Sequence, residues 1–329
     1  MRSHRGGGGR AAVPVAAVAG AWIEAGGRRP TSVEPIRLGD KRAVYRLVDA
    51  GPDRETVIAK RSGREALKSE WMIYERVLPL LPLTSARAYA LVEESVTAWL
   101  FLEDAGDTVC DPRTAGALAS RWLGTLHGAA ASLDVRRLLP DRGPAHYRRH
   151  LGAARTTIAL HSDNPALTTE DSRLLWDLVA VLSEIERHWN VVEEVCSAGP
   201  LTIAHGDFVK RNLRRQSEDG REALIVLDWE CAGAASPAAD LEVIGLDRTL
   251  AAQYISTIQR FLPTVSEQLV TELARVGVGL RLLAAIDWAA ADLECPWPQT
   301  GMASLQLYEP SIRAWARSLM LAPVRPEAS

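Results

Sequence analysis

Four cysteines in 329 residues, Cys110, Cys196, Cys231 and Cys295, are too few and too scattered to organise this chain. No two of them form a Cys-x-x-Cys pair, which argues against both a structural zinc site and a disulfide framework. Nor is there a surplus of charge of one sign. A formal net charge of −3 gives no case for nucleic acid or for an acidic membrane surface as partner. No apolar run reaches the length of a bilayer span, and no internal repeat is visible. The first residues, Met1 to Arg5, are basic and precede the largely apolar stretch Ala11 to Ile23, but Pro14, Glu24 and the helical spacing of Val15, Val18, Trp22 and Ile23 argue against a targeting segment. Residues 1–14, with Gly6 to Gly9, read as a flexible leader. What remains is rich in apolar residues, 47% of the total, enough to bury a large core and long enough to divide into two lobes.

The most informative stretch runs from Leu201 to Leu241. Gly199-Pro200 signals a turn, Leu201 to Ala204 reads as a short strand, and His205-Gly206-Asp207 falls where the chain leaves it. Asn212 comes five residues after Asp207; a polar turn at Gln216 to Gly220 and a strand from Ala223 to Leu227 then end at Asp228. A hairpin of that length folds Asp228 back beside Asn212 and brings two hard oxygen ligands together. Magnesium takes one or two protein oxygens and completes its shell with phosphate and water. An acid that orients a hydroxyl, followed at these offsets by an amide and a second acid, is the spacing of a phosphoryl-transfer site. Either Asp alone can also be read as a turn residue or a strand-end cap; both in order argue against that reading.

These residues, with Asp228-Trp229-Glu230 and Ser236-Pro237-Ala238-Ala239-Asp240-Leu241, give the chain a resemblance to the aminoglycoside phosphotransferase and choline kinase-like family. The resemblance extends from about Val15 to Leu319. It implies an α+β, bilobal protein-kinase-like fold with a small β-rich N-lobe and a larger helical C-lobe, ATP as donor, Mg²⁺, and usually a small-molecule hydroxyl as acceptor. On that reading residues 15–103 form the nucleotide-binding N-lobe and residues 104–329 the C-lobe with catalytic loop, metal site and acceptor pocket. Asp207 takes the catalytic place, and Asn212 and Asp228 take the metal-binding places.

The remaining roles follow along the chain. Val33 to Leu38, Ala43 to Val48 and Thr56 to Lys60 have the β-branched content of strands. The turn Gly39 to Arg42 then stands where a nucleotide loop belongs, with one glycine and two cations, Lys41 and Arg42, that either contact phosphate or are ordinary hairpin-tip charges. Lys60 ends its strand in the position of the lysine that holds the α and β phosphates. Its partner should lie on a helix from Glu65 to Leu78, stopped by Pro79; Leu67, Trp71, Tyr74 and Leu78 form one seam, and Glu70 beside it is the choice, with Glu75 as fallback. Val96 to Leu102 resembles the hinge strand, so adenine would meet backbone groups of Leu102, Glu103 and Asp104. A helix spans Thr114 to Ala131, with His127 structural, and Asp240 is expected to tie the catalytic loop together rather than to react. Glu230 reads either as support for the metal site or as a plain loop acid, and Lys210 and Arg211 either neutralise phosphate or are solvated.

The C-terminal third should build the acceptor pocket from helices over 246–261, 265–276, 279–293 and 310–321. A Pro-rich loop, Glu294 to Gly301, carries Trp297 and suits a cleft wall. Asp287, Asp292, Glu294 and Glu309 are interrupted by Trp288, Trp297, Tyr308 and Trp315, a mixture that suits an acceptor with apolar and polar faces at least as well as a bare aminosugar; Trp288 and Trp315 read first as core residues. The leading expectation is an ATP- and Mg²⁺-dependent O-phosphotransferase in the cytoplasm acting on an antibiotic or natural product. The alternatives are a Ser/Thr kinase of a precursor peptide in ribosomal-peptide (lanthipeptide-like) maturation, and a non-catalytic nucleotide-binding protein. Neither nucleic acid nor membrane is expected as partner; a protein partner or a homodimer is compatible with all three.

Overall fold

The computed structural model describes residues 15–39, 42–218, 221–244, 247–295 and 297–321. The leader over 1–14 and Lys41 lie outside them. The described residues divide into two compact units, one formed by the chain up to Cys110 together with Arg211–Glu230, the other by Asp111–Lys210 and the chain from Cys231 onward.

The first unit is built on a five-stranded antiparallel sheet, β1 (Ser32–Arg37), β2 (Ala43–Val48), β3 (Val57–Gly63), β4 (Ala88–Glu93) and β5 (Thr97–Glu103), in the order β1-β2-β3-β5-β4. Alternation along β2 sends Ala43, Tyr45 and Leu47 inward. They meet Val18 and Trp22 from the helix Val15–Glu24, whose indole packs 5.0 Å from the Phe101 ring and donates to the Ala50 carbonyl at 3.1 Å. β5 is buried along five consecutive residues because it lies inside the sheet, between β3 and β4. A helix, Arg64–Met72, follows β3 directly and does not run unbroken to Pro79: it loosens into a π-helical turn over Ile73–Val77 and tightens into a 3-10 turn over Leu78–Leu80 that contains Pro79. Ile73, Tyr74 and Val77 are all buried, so the widened turn serves packing. The hairpin Leu213–Glu218 and Arg221–Val226 completes this unit, with Leu213 opposite Val226. It is joined to the segment after β5 by the bonds Cys110 N–H to Leu213 O (3.1 Å) and Arg215 N–H to Thr108 O (2.9 Å).

The second unit is mostly helical, around a two-stranded ladder in which Thr202–Ala204 pairs with Gly233–Ala235. Its main helices are Gly116–Ala130, Pro144–His161, Thr169–Arg187, Trp189–Ala198, Arg248–Ile258, Glu267–Ala290 and Gln299–Met320. Residues 265–293 do not form two helices. Gly277 and Gly279, which suggested a break, sit inside one helix and permit close contact: a Cβ on Gly277 would fall 1.8 Å from the Ala238 carbonyl oxygen, and one on Gly279 would fall 1.9 Å from the Trp315 indole. The last helix likewise begins at Gln299, not at Pro310. Pro310 sits inside it at an exposed position, where the carbonyl one turn back that loses its N–H partner is not sealed in a core. Among the described residues no helix is long and apolar enough to cross a membrane.

Candidate functional site

In the sheet-bearing unit, β3 delivers Lys60 into a cluster of carboxylates. Its Nζ lies 2.6 Å from Glu70 Oε2 and 2.5 Å from Asp228 Oδ1. Glu70 is wholly buried, one turn along the helix from Leu67, which is buried too. Burial opposes the ammonium of Lys60, but Glu70 and Asp228 outweigh it and hold the lysine pKa well above its ordinary value. For Glu70 burial wins and the carboxyl is pushed upward, with Lys60 opposing. The lysine is therefore a fixed cation with two acids beside it. Glu75, the alternative on the same helix, is about half exposed and near Arg76 instead.

Asp228 is held in a left-handed backbone conformation (φ 67°) at the end of the hairpin. Asp tolerates that region better than most residues, and such strain gathers at functional sites. The Leu227 N–H donates to the Asn212 carbonyl at 2.8 Å, so the hairpin register sets Asn212 against the segment that carries Asp228. Asn212 is buried. Two further carboxylate oxygens of this unit, Oε1 of Glu70 and Oε2 of Glu230, are buried without a hydrogen-bond partner among the described residues. Hard oxygens of this kind fit a divalent cation such as Mg²⁺. The other oxygen of Glu230 binds Arg42 at 2.9 Å, so Arg42 is tied to the Asp228-Trp229-Glu230 segment. Gly39 opens the preceding loop, and the next two residues lie outside the described set.

At the end of β5, the Glu103 N–H donates to Arg87 O (2.8 Å) and the Asp104 N–H to Thr56 O (3.3 Å), while the Asp104 side chain takes Arg46 at 2.8 Å. Leu102 is buried within the ladder, opposite Ile58 and Ala88. Of the backbone groups assigned to adenine from the sequence, the Glu103 and Asp104 N–H groups are thus engaged within this unit. Ala105, the next residue, has no hydrogen bond from its N–H among the described residues.

In the helical unit, Asp207 is almost fully buried at the end of the Thr202–Ala204 strand. Gly206 before it adopts φ +77°, and a Cβ there would sit 2.7 Å from the Cys231 carbonyl oxygen, so the turn demands glycine. The loop is pinned from behind by Asp240, whose carboxylate accepts the His205 N–H at 2.6 Å and the Gly206 N–H at 2.8 Å. Asp240 also meets His127 Nε2 at 3.2 Å, and His127 Nδ1 meets the Tyr254 hydroxyl at 3.0 Å. Burial alone would raise the Asp240 pKa, but His127 and the loop amides hold it below its ordinary value. Lys210 is exposed and no closer than 4.0 Å to Asp111.

Sequence reasoning missed Arg281. It reaches the Asp207 carboxylate at 3.4 Å and Glu242 at 3.5 Å from the helix Glu267–Ala290. It also missed the His150–Asp287 pair at 2.7 Å. A lone arginine in an otherwise small and apolar helix segment was the signal for the first; the second joins residues 137 apart and left none. Trp315 is core as expected, whereas Trp288 is half exposed and Trp297 is 79% exposed.

A family model described as the phosphotransferase enzyme family matches residues 32–276. Comparison with curated protein sequences gives no match. Solved structures do. The GDP complex of wild-type aminoglycoside 2'-phosphotransferase-IIIa superposes with a TM-score of 0.59 at 10% identity, over 86% of this chain and 93% of that one. Choline kinase from Cryptosporidium parvum Iowa II gives 0.57 at 13% identity, over 88% and 91%. A thermostable mutant of aminoglycoside phosphotransferase APH(4)-Ia, in ternary complex with AMP-PNP and hygromycin B, gives 0.54 at 14% identity, over 92% and 98%. At such identities the likeness speaks for the fold, which is α+β and protein-kinase-like.

Proposed function

The chain belongs to the phosphotransferase enzyme family, as a kinase with an alcohol group as acceptor, and we propose that it transfers the γ-phosphate of ATP, with Mg²⁺, to a hydroxyl of a small antibiotic or natural product in the cytoplasm. The observation that carries this reading is the Lys60 ammonium held 2.6 Å from Glu70 and 2.5 Å from Asp228, an arrangement that supports Lys60 as the phosphate-binding cation of a transfer site. Nucleotide binding is assigned to the sheet-bearing unit and acceptor binding to the helical one. The nucleotide and small-molecule acceptor named for the structural relatives, AMP-PNP with hygromycin B, and the choline of a choline kinase support the same class.

In this mechanism Lys60, oriented by Glu70, holds the α and β phosphates, and the free N–H of Ala105 offers a donor to the base. Asn212 and Asp228 supply the oxygens for the metal, which when bound neutralises phosphate charge. Asp207 orients the acceptor hydroxyl and accepts its proton, on a loop that Asp240 keeps rigid. The transition state is loose, so positioning and charge neutralisation supply most of the acceleration. The test is intact-mass detection of phosphate transfer from Mg·ATP to a pooled panel of antibiotics and natural products. Transfer by the wild type that disappears in Asp207→Asn and Asp228→Ala supports the reading; wild-type turnover in Asp228→Ala at saturating Mg²⁺ overturns the metal assignment.

A further inference from the structure

The helix Glu267–Ala290 presents Arg281, Ala284 and Trp288 along one face, three and four residues apart. Arg281 touches Asp207. Ala284 and Trp288 line a recess of ≈ 150 Å³ that also reaches Gly206, the residue before Asp207. The recess therefore lies within the helical unit beside the proposed hydroxyl-orienting acid.

Its lining carries one permanent cation, Arg142, no carboxylate, and the flat rings of His146, Tyr147, His150 and Trp288. Arg142 contributes a guanidinium whose Nε is buried without a partner among the described residues. His146 lies 3.2 Å from Arg142 and 3.2 Å from His150. The one carboxylate at this end of the helix, Asp287, is already taken by His150 at 2.7 Å. Glu242, on the other side of Arg281, is shared between that arginine and Arg113. Burial first, then Arg142, His150 and Arg149, with the Asp141 carboxylate opposing, lower the His146 pKa to about 4, so it stands neutral at physiological pH. The His146 and His150 rings meet edge to face at 4.7 Å, and His150 meets the half-exposed Trp288 at 6.3 Å in the same manner. A polycationic aminosugar needs converging free carboxylates; here they are absent among the lining residues, and an arginine stands in their place.

We propose that this recess seats the anionic group and adjoining flat apolar face of the acceptor, so that the enzyme phosphorylates a hydroxyl compound bearing a carboxylate or phosphate and rejects polycationic aminoglycosides. The proposal rests on the reading of Asp207 as the residue that orients the acceptor hydroxyl. An anion is held by Arg142 through a charge-assisted bond and its ring lies against Trp288, in a recess that reaches the residue before Asp207.

The test uses the full chain and matched probes: phenyllactate and mandelate against their methyl esters, a nucleoside 5'-monophosphate against its nucleoside, and kanamycin and hygromycin B. Equilibrium binding is read by quenching of tryptophan fluorescence, and transfer separately by intact mass. The expected result is that the anionic member of at least one pair binds about tenfold or more tighter than its neutral partner. That preference should fall to about twofold in Arg142→Gln and survive in Arg142→Lys, which guards against simple misfolding. The pair showing the effect distinguishes carboxylate from phosphate. Preference for a neutral member or an aminoglycoside, unchanged preference in Arg142→Gln, or binding of none of the probes overturns the proposal. Selective anion binding without any transfer keeps it and instead overturns the assignment of Asp207.

Discussion

Lys60 and Glu70 form an ion pair at 2.6 Å in which the acid is wholly buried and the lysine partly so. The pair joins the third strand of the sheet to the helix after it, and Asp228 closes on the same ammonium from the hairpin. Glu70→Gln should therefore act on the nucleotide side. An increase in KM for ATP of about tenfold is expected, with kcat less affected, together with a loss of about 1–3 kcal/mol in urea unfolding.

Gly206→Ala should be far more damaging than an alanine usually is. The substitution places a side chain at φ +77° and 2.7 Å from the Cys231 carbonyl oxygen. A stability loss of about 1–3 kcal/mol is expected in thermal unfolding, with transfer reduced more than a hundredfold because Asp207 is the next residue along the displaced turn.

Asp240 gives a pH-dependent prediction. Its folded pKa lies below the unfolded value, so the stability it contributes is complete above about pH 4 and is lost as the pH falls through the folded pKa. Asp240→Asn should cost about 3 kcal/mol at neutral pH. The gap between wild type and variant should narrow steadily in denaturation curves taken below about pH 4.

His146 predicts a second pH effect of its own. Its folded pKa of about 4 lies below the ordinary 6.5, so the unfolded chain binds the extra proton first and stability falls as the pH drops from about 6.5 to about 4. The groups facing it are Arg142, Arg149, His150 and Asp141. His146→Gln should flatten that limb by about 1–3 kcal/mol, measured by urea unfolding across the interval.

Much of the sheet-bearing unit was legible because its determinants are local. Strand alternation and a helical seam are enough to bring Lys60 near Glu70, and a hairpin of fixed length returns Asp228 toward Asn212. The helical unit was read less well. Gly277 and Gly279 have the same letter whether they break a helix or admit a neighbour, and only the packing of Ala238 and Trp315 decides. Pro310 carried the signature of a helix start, but exposure let it sit in mid-helix. Residues 144–198, which form three helices, gave no assignment at all. Arg281 with Asp207, and His150 with Asp287, are pairs between residues 74 and 137 positions apart, beyond what periodicity reports.

The hairpin Leu213–Val226 belongs to the first unit although it is reached only after a hundred residues of the second, Asp111–Lys210, have been laid down. During synthesis the five-stranded sheet can emerge and pair early, but Lys60 must wait for its second acid until Asp228 leaves the ribosome. The same threading makes dissection unequal: a fragment ending at Cys110 keeps Lys60 and Glu70 yet carries neither Asn212 nor Asp228, so no single cut yields two complete halves.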